Sequence, residues 1–213
     1  MRSNLYTIAY AAVLALVCAT ALTAVQELTR EAYKTNLAAK KARNIMWVLG
    51  IPFDADTPAE EIIKISDQKV REDETGLAKL YGAQHVYYSD HPEHGRLWAI
   101  TFEGPGMWKP IEGLLCLKAD MKTIYRISFY KQEETPGLGA RIAEPDFQNG
   151  FQGKAIYSSS GEPGIVIKAD ASGPNEVDAV SSATVTSGKV QDMLNKLIEK
   201  IANAGPPEVS DVR

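Results

Sequence analysis

The chain has 213 residues, a formal net charge of −4 and a pI near 5.5. That length suits one globular domain with an appendage, and the acidic balance disfavours nucleic acid as a partner. The two cysteines, Cys18 in an apolar stretch and Cys116 in a strand-like run, make neither a disulfide framework nor a thiolate metal site.

Ser3 to Gln26 carries no charge, and Leu5 to Val25 is mostly Ala, Leu and Val. Such a run is long enough to cross a bilayer as a helix, so residues 1–26 are expected to be a transmembrane anchor. A cleaved signal peptide is the rival reading, because Ala19-Thr20-Ala21 offers small residues for cleavage. The apolar run is longer than a usual signal core, however. Val17 does not suit lipidation of Cys18. Arg30, Lys34, Lys40, Lys41 and Arg43 come after the run, against Arg2 ahead of it. Counted alone, these charges place the bulk of the chain in the cytoplasm, although long domains translocate largely regardless of charge. Residues 27–52 read as a helical stalk, stopped by Gly50-Ile51-Pro52. The remaining expectations are a folded domain over 53–205 and a loose tail over 206–213.

Thr57-Pro58-Ala59-Glu60 has the form of a capping box with proline at the first helical position, starting a short helix through Ile62, Ile63 and Ile65. From there to Gly95 the chain reads as polar and irregular. His91-Pro92-Glu93-His94 offers metal-ligating types, but Pro92 and Gly95 favour a solvated turn, and no metal site is expected. Leu97–Phe102, Ile111–Lys118 and Thr123–Tyr130 read as strands, with a hairpin at Ala119-Asp120-Met121-Lys122. On the third strand, alternation puts Tyr125, Ile127 and Phe129 on one face and Arg126 and Ser128 on the other. Gly104-Pro105-Gly106-Met107-Trp108 is a loop whose Trp108 either packs internally or meets a ligand.

Glu134-Thr135-Pro136-Gly137-Leu138-Gly139 comes after the third strand. Pro136 and the two glycines make a turn with exposed backbone N–H groups that a ligand can approach closely. Gly164–Lys168 reads as a further strand. Then comes Asp178-Ala179-Val180-Ser181-Ser182-Ala183-Thr184-Val185-Thr186-Ser187, with five hydroxyls in the seven positions from Ser181. Val190, Met193, Leu194, Leu197, Ile198 and Ile201 behind it have helical spacing. The hydroxyls therefore sit at or just before a helix N-terminus, where unpaired N–H groups and the dipole favour an anion such as a phosphate. Plain capping by Thr186 or Ser187 explains one or two of them. No His, Lys or Glu lies within the run to act as a base, so an autonomous nucleophile is poorly supported. A hydroxyl offered without a base suits a site that another enzyme modifies.

This run resembles the flavinylation motif of the FMN-binding domain family: Asp, two variable positions, Ser or Thr, Gly, Ala, then the acceptor Thr. Asp178, Ser181, Ala183 and Thr184 match it, and Ser182 stands where the family usually has Gly. The Glu134–Gly139 hexapeptide is similar to the signature of the family's respiratory branch. The resemblance implies an α+β fold, an antiparallel sheet with flanking helices tethered by one N-terminal transmembrane helix. It implies FMN joined to Thr184 through a phosphodiester by a separate flavin transferase. It implies contacts from Asp178, Ser181, Ser182, Ala183, Val185 and Thr186, from Glu134, Thr135, Gly137, Leu138 and Gly139, and from Trp108. The role implied is an electron-carrying subunit of an ion-translocating NADH:quinone reductase, with other membrane subunits as partners. A subunit of a ferredoxin:NAD reductase is the close alternative, and a stand-alone membrane-anchored flavin-binding sensor the rival. The resemblance also places the domain on the external side of a bacterial inner membrane, against the charge count, and the expectation sides with the resemblance.

Overall fold

The computed structural model describes residues 2–207. The expected loose tail lies outside the described residues beyond Pro207. The first element is a single unbroken helix, α1 (Arg2–Val48), so the apolar run and the charged stretch after it are continuous. Its first part is exposed along the whole apolar run and reaches a mean hydropathy of 2.3. By length and composition it can cross a membrane. Its last three turns are different. Ala39, Ala42, Ile45, Met46 and Val48 are buried, so the helix ends inside the domain. Gly50, at φ +69°, terminates it.

Helix α2 (Ala59–Lys69) lies against that end through Ile62, which meets Ala39 and Ala42. The expected capping box does not form. Pro58, not Thr57, is the N-cap, its carbonyl accepts the Ile62 N–H, and no side chain caps the helix. Two acidic residues in the first turn, Glu60 and Glu61, complement the dipole instead.

The segment expected to be irregular contains β1 (Arg71–Glu72), the short α3 (Leu77–Tyr81) and β2 (Val86–His91). With β3 (Gly95–Pro105), β4 (Pro110–Leu117) and β5 (Ile124–Lys131), these strands form one antiparallel sheet in sequence order. The polar composition of β2 hides it, because its Ser89, Asp90 and His91 end runs out into the turn before β3. His91 and His94 stack on each other there, with ring centroids 4.8 Å apart, and both lean on Tyr125.

The sheet is covered on both faces, which is why β3 reads as an apolar run rather than an alternation. Leu97 and Ala99 face α1 with Leu114 and Cys116. Trp98, Ile100 and Phe102 face the opposite core with Leu115, Leu117, Ile127 and Phe129. Each large apolar side chain so buried contributes roughly 1.5–3 kcal/mol. Tyr125 departs from the expected face. The β4–β5 register shifts between Cys116 and Leu117, pairing Cys116 with Arg126 and Leu117 with Ile124. That bulge leaves Tyr125 as the extra residue and turns it to the α1 side. Arg126 and Ser128 also reach α1, donating to the Trp47 carbonyl (2.6 Å) and to the Asn44 side chain (3.2 Å).

After β5 come a 3-10 turn (Gly139–Ala143), α4 (Pro145–Asn149), the parallel pair β6 (Val166–Lys168) and β7 (Glu176–Asp178), and α5 (Thr184–Ala204). The predicted stripe of α5, Val190 to Ile201, is buried against the sheet. Its polar neighbours finish β6: Gln191 and Asn195 accept the Ile167 and Ile165 N–H groups, each at 2.7 Å.

Candidate functional site

The site grows from the N-terminus of α5 and two loops at one end of the sheet. Between β7 and α5 the chain turns through residues 180–183, closed by the Ala183 N–H donating to the Val180 carbonyl at 3.1 Å. Ser182 takes φ +63° in this turn, in the left-handed region that glycine occupies at no steric penalty. Ala183 is the N-cap of α5, and no side-chain cap hydrogen bond is made there. Among the described residues, the N–H groups that open α5 therefore have no side-chain cap, and the helix runs 21 residues behind them.

The hydroxyls of the run have separate fates. Thr184, the first residue of α5, is exposed. Val185 beside it is 55% exposed. Thr186 is buried and donates to Glu134 Oε2 at 2.7 Å. Ser187 is buried, and its Oγ accepts the Val180 N–H at 3.3 Å. Neither Thr186 nor Ser187 caps the helix, as the simplest reading of the run would have it; both lie within its first turn. Ser181 is exposed in the turn. Asp178 sits at the end of β7, where its carboxylate accepts the Ala171 N–H at 2.9 Å and ties down the preceding loop.

The second motif meets the first through Glu134. This carboxyl is 5% exposed. Its Oε1 accepts the Met107 N–H at 2.7 Å and the Trp108 N–H at 3.3 Å, while Oε2 accepts Thr186. Trp108 Nε1 also donates to Thr135 Oγ1 at 3.2 Å. Gly139 lies tight against the same group: a Cβ there would stand 2.6 Å from Thr186 Oγ1. Gly137 adopts φ +74° beside open space. Leu138 between them is exposed, as are Met107 and Trp108 of the β3–β4 loop.

The structure thus brings Trp108, the Glu134–Gly139 turn and the first turn of α5 into one region, and leaves Asp178 at the end of β7, ahead of the turn into α5. The exposed residues of these tied segments are Met107, Trp108, Leu138, Thr184 and Val185, with the threonine at a helix start that has no side-chain cap. That combination fits a ligand with an anionic end and a flat apolar body. Nothing in the spacing of the sequence marks Met107; only the turn of the loop exposes it. The cavity of about 410 Å³ beside Leu49–Pro52 and β2 lies elsewhere.

Comparison with known proteins bears on this region directly. Residues 106–199, which hold the Trp108 loop, the turn and the first turns of α5, match the FMN-binding domain family. The chain is 36% identical over 144 residues to the C subunit of the Na(+)-translocating NADH-quinone reductase of Pasteurella multocida, covering 66% of this chain and 55% of that one. It is 30% identical over 141 residues to the same subunit of Vibrio alginolyticus, covering 65% and 54%. The chain thus spans about half the length of these curated relatives. The crystal structure of the corresponding subunit from Parabacteroides distasonis superposes with a TM-score of 0.66 at 25% identity, covering 81% of this chain and 94% of that one. NqrC of Shewanella oneidensis, at 18% identity and a TM-score of 0.59, shares the fold. The α+β fold is shared with the Parabacteroides distasonis subunit, and residues 106–199 match the FMN-binding domain family.

Proposed function

We propose that this chain is a covalently flavinylated electron-transfer subunit of an ion-translocating NADH:quinone reductase. The observation that carries the reading is the exposed Thr184 at the start of α5, which has no side-chain cap, on a helix turn that Glu134 ties to the Trp108 loop. Thr184 is the attachment residue: its Oγ1 is esterified by the FMN phosphate, giving a phosphodiester. Of the two threonines in the run, it is the one whose hydroxyl is not spent on an internal hydrogen bond to Glu134. The remaining negative charge of the diester is offset by the α5 N-terminus. FMN supplies one- and two-electron redox chemistry; the chain supplies position and surroundings. Exposed Met107, Trp108 and Leu138 give the isoalloxazine ring an apolar seat, and the Gly137 backbone leaves room for close approach.

No His, Lys or Glu lies between Asp178 and Ser187, so attachment depends on a separate flavin transferase. The helix α1 tethers the domain to a bacterial inner membrane as a single span, with the domain on the periplasmic side and the other membrane subunits of the complex as redox partners. Covalent attachment then keeps the cofactor where free FMN is scarce. The curated relatives are C subunits of the quinone reductase, which favours this reading over the ferredoxin-linked one. The test is intact mass of the full chain expressed with and without a flavin transferase. The reading expects a gain of one FMN less one water only when the transferase is present. Unchanged mass in both would overturn it.

A further inference from the structure

Glu134 is a buried acid whose two oxygens are both occupied by protein donors. Oε1 takes the Met107 and Trp108 N–H groups from the β3–β4 loop, and Oε2 takes the Thr186 hydroxyl from the first turn of α5. Two glycines are shaped around it. A Cβ on Gly106 would fall 2.6 Å from Oε1, and one on Gly139 would fall 2.9 Å from Oε2. The node is therefore packed closely enough that neither glycine can carry a side chain without displacing the carboxylate. What it holds is mostly exposed: Met107 at 54%, Trp108 at 67%, and Thr184 and Val185 immediately ahead of Thr186. A buried carboxylate is a demanding group to keep, and hydrogen bonds to charged groups are the stronger kind. Here they are spent on the backbone of an exposed loop and on a buried hydroxyl of α5, from distant parts of the chain.

We propose that Glu134 is a positioning residue that clamps the Trp108 loop to the start of α5, and so fixes the indole relative to Thr184. The proposal deepens the functional reading above and rests on it for the identity of what the indole faces. The clamp does not require Glu134 to contact the ligand: the residue is 5% exposed, and both oxygens already accept from protein donors. The Trp108 Nε1 bond to Thr135 Oγ1 is the second, weaker tie, and the clamp requires it to be insufficient alone.

The experiment uses the full chain in detergent, labelled with 5-fluorotryptophan, which gives one ¹⁹F resonance each for Trp47, Trp98 and Trp108. Trp108→Phe assigns the third. In Glu134→Ala the Trp108 resonance is expected to move towards that of a free indole and sharpen, with Trp47 and Trp98 unmoved. Glu134→Gln is expected to restore it, since the amide oxygen can accept the loop N–H groups and the amide nitrogen can donate to Thr186 Oγ1. If Glu134→Ala fails to fold, seen as loss of all three native resonances, Thr186→Val decides, because it cuts only the α5 side and must still shift Trp108. The same samples carrying flavin give a second readout. Flavin emission in Glu134→Ala is expected to rise towards that of Trp108→Phe, while Glu134→Gln stays near wild type. A Trp108 resonance unmoved in folded Glu134→Ala, or unmoved in Thr186→Val, or a Gln variant as displaced as the Ala variant, would overturn the clamp. If the resonance responds as expected and no sample takes up flavin, the clamp stands and the flavin reading fails. If flavin attaches and the resonance does not respond, the outcome is the reverse.

Discussion

At the residue scale, two side chains make the clearest statements about the site. Ser182 occupies a left-handed turn position where an L residue is disfavoured by roughly 1–2 kcal/mol, partly offset by the greater unfolded-state freedom of glycine. Ser182→Gly is therefore expected to raise stability by up to about 1 kcal/mol, read as a higher denaturation midpoint. A lower midpoint would mean the Ser182 side chain makes a compensating contact. Leu138 is exposed at the apex of the Glu134–Gly139 turn. Leu138→Glu would put a negative charge beside a ring that gains electrons on reduction, a repulsion on the order of 1 kcal/mol at partial exposure. The flavinylated variant is expected to show a midpoint potential lower by tens of millivolts in a spectroelectrochemical titration. An unchanged potential in a flavinylated, folded variant would show that this turn does not border the ring. The glycine that usually stands at the Ser182 position in the family foreshadows its positive φ. Nothing foreshadows the partners of Glu134, because a residue 52 positions from Thr186 gives no sign in the sequence of which group it will meet.

At the element scale, the apolar elements are legible in the sequence and the polar or bulged ones are not. The α5 stripe, the α1 run and strands β3, β4 and β5 announce themselves by periodicity. Strand β2 ends in polar residues and reads as loop, and the bulge on β5 reverses the side of Tyr125, since one extra residue inverts a period of two. The β6–β7 pair, which leads into the turn before α5, is held by a polar staple. Glu176 accepts from Lys168 Nζ at 2.7 Å and from the Gly173 and Ser172 N–H groups at 2.7 and 3.0 Å. The Lys168 hydrogen bond first, then those backbone bonds, hold its carboxyl down at about 2. A carboxyl depressed in the folded state contributes stability above its unfolded value and loses it as pH falls through the folded one. Glu176→Gln is thus expected to melt below wild type at pH 7, with the gap narrowing as pH is lowered from about 4.5 towards about 2. A gap independent of pH would remove the charge from the explanation.

At the scale of the whole molecule, α1 joins a segment long and apolar enough to span a membrane directly to the domain that holds the site. One helix of 47 residues runs from the apolar segment into the domain, where Ala39 to Val48 pack on α2 and the sheet. Charge counting and family resemblance disagree on which side that domain lies. Alkaline phosphatase fused after Arg213 is expected to be active, and the mature protein to retain Arg2. An inactive fusion would place the domain in the cytoplasm, and a mature start near Leu22 would make the apolar run a signal peptide. The central claim is that Thr184 carries the cofactor, and in-gel flavin fluorescence of denatured full chain, matured with the transferase, tests it most directly. Thr184→Ala is expected to abolish the fluorescent band while Ser181→Ala retains it. Fluorescence at wild-type level in folded Thr184→Ala would contradict the account and place the cofactor on another residue.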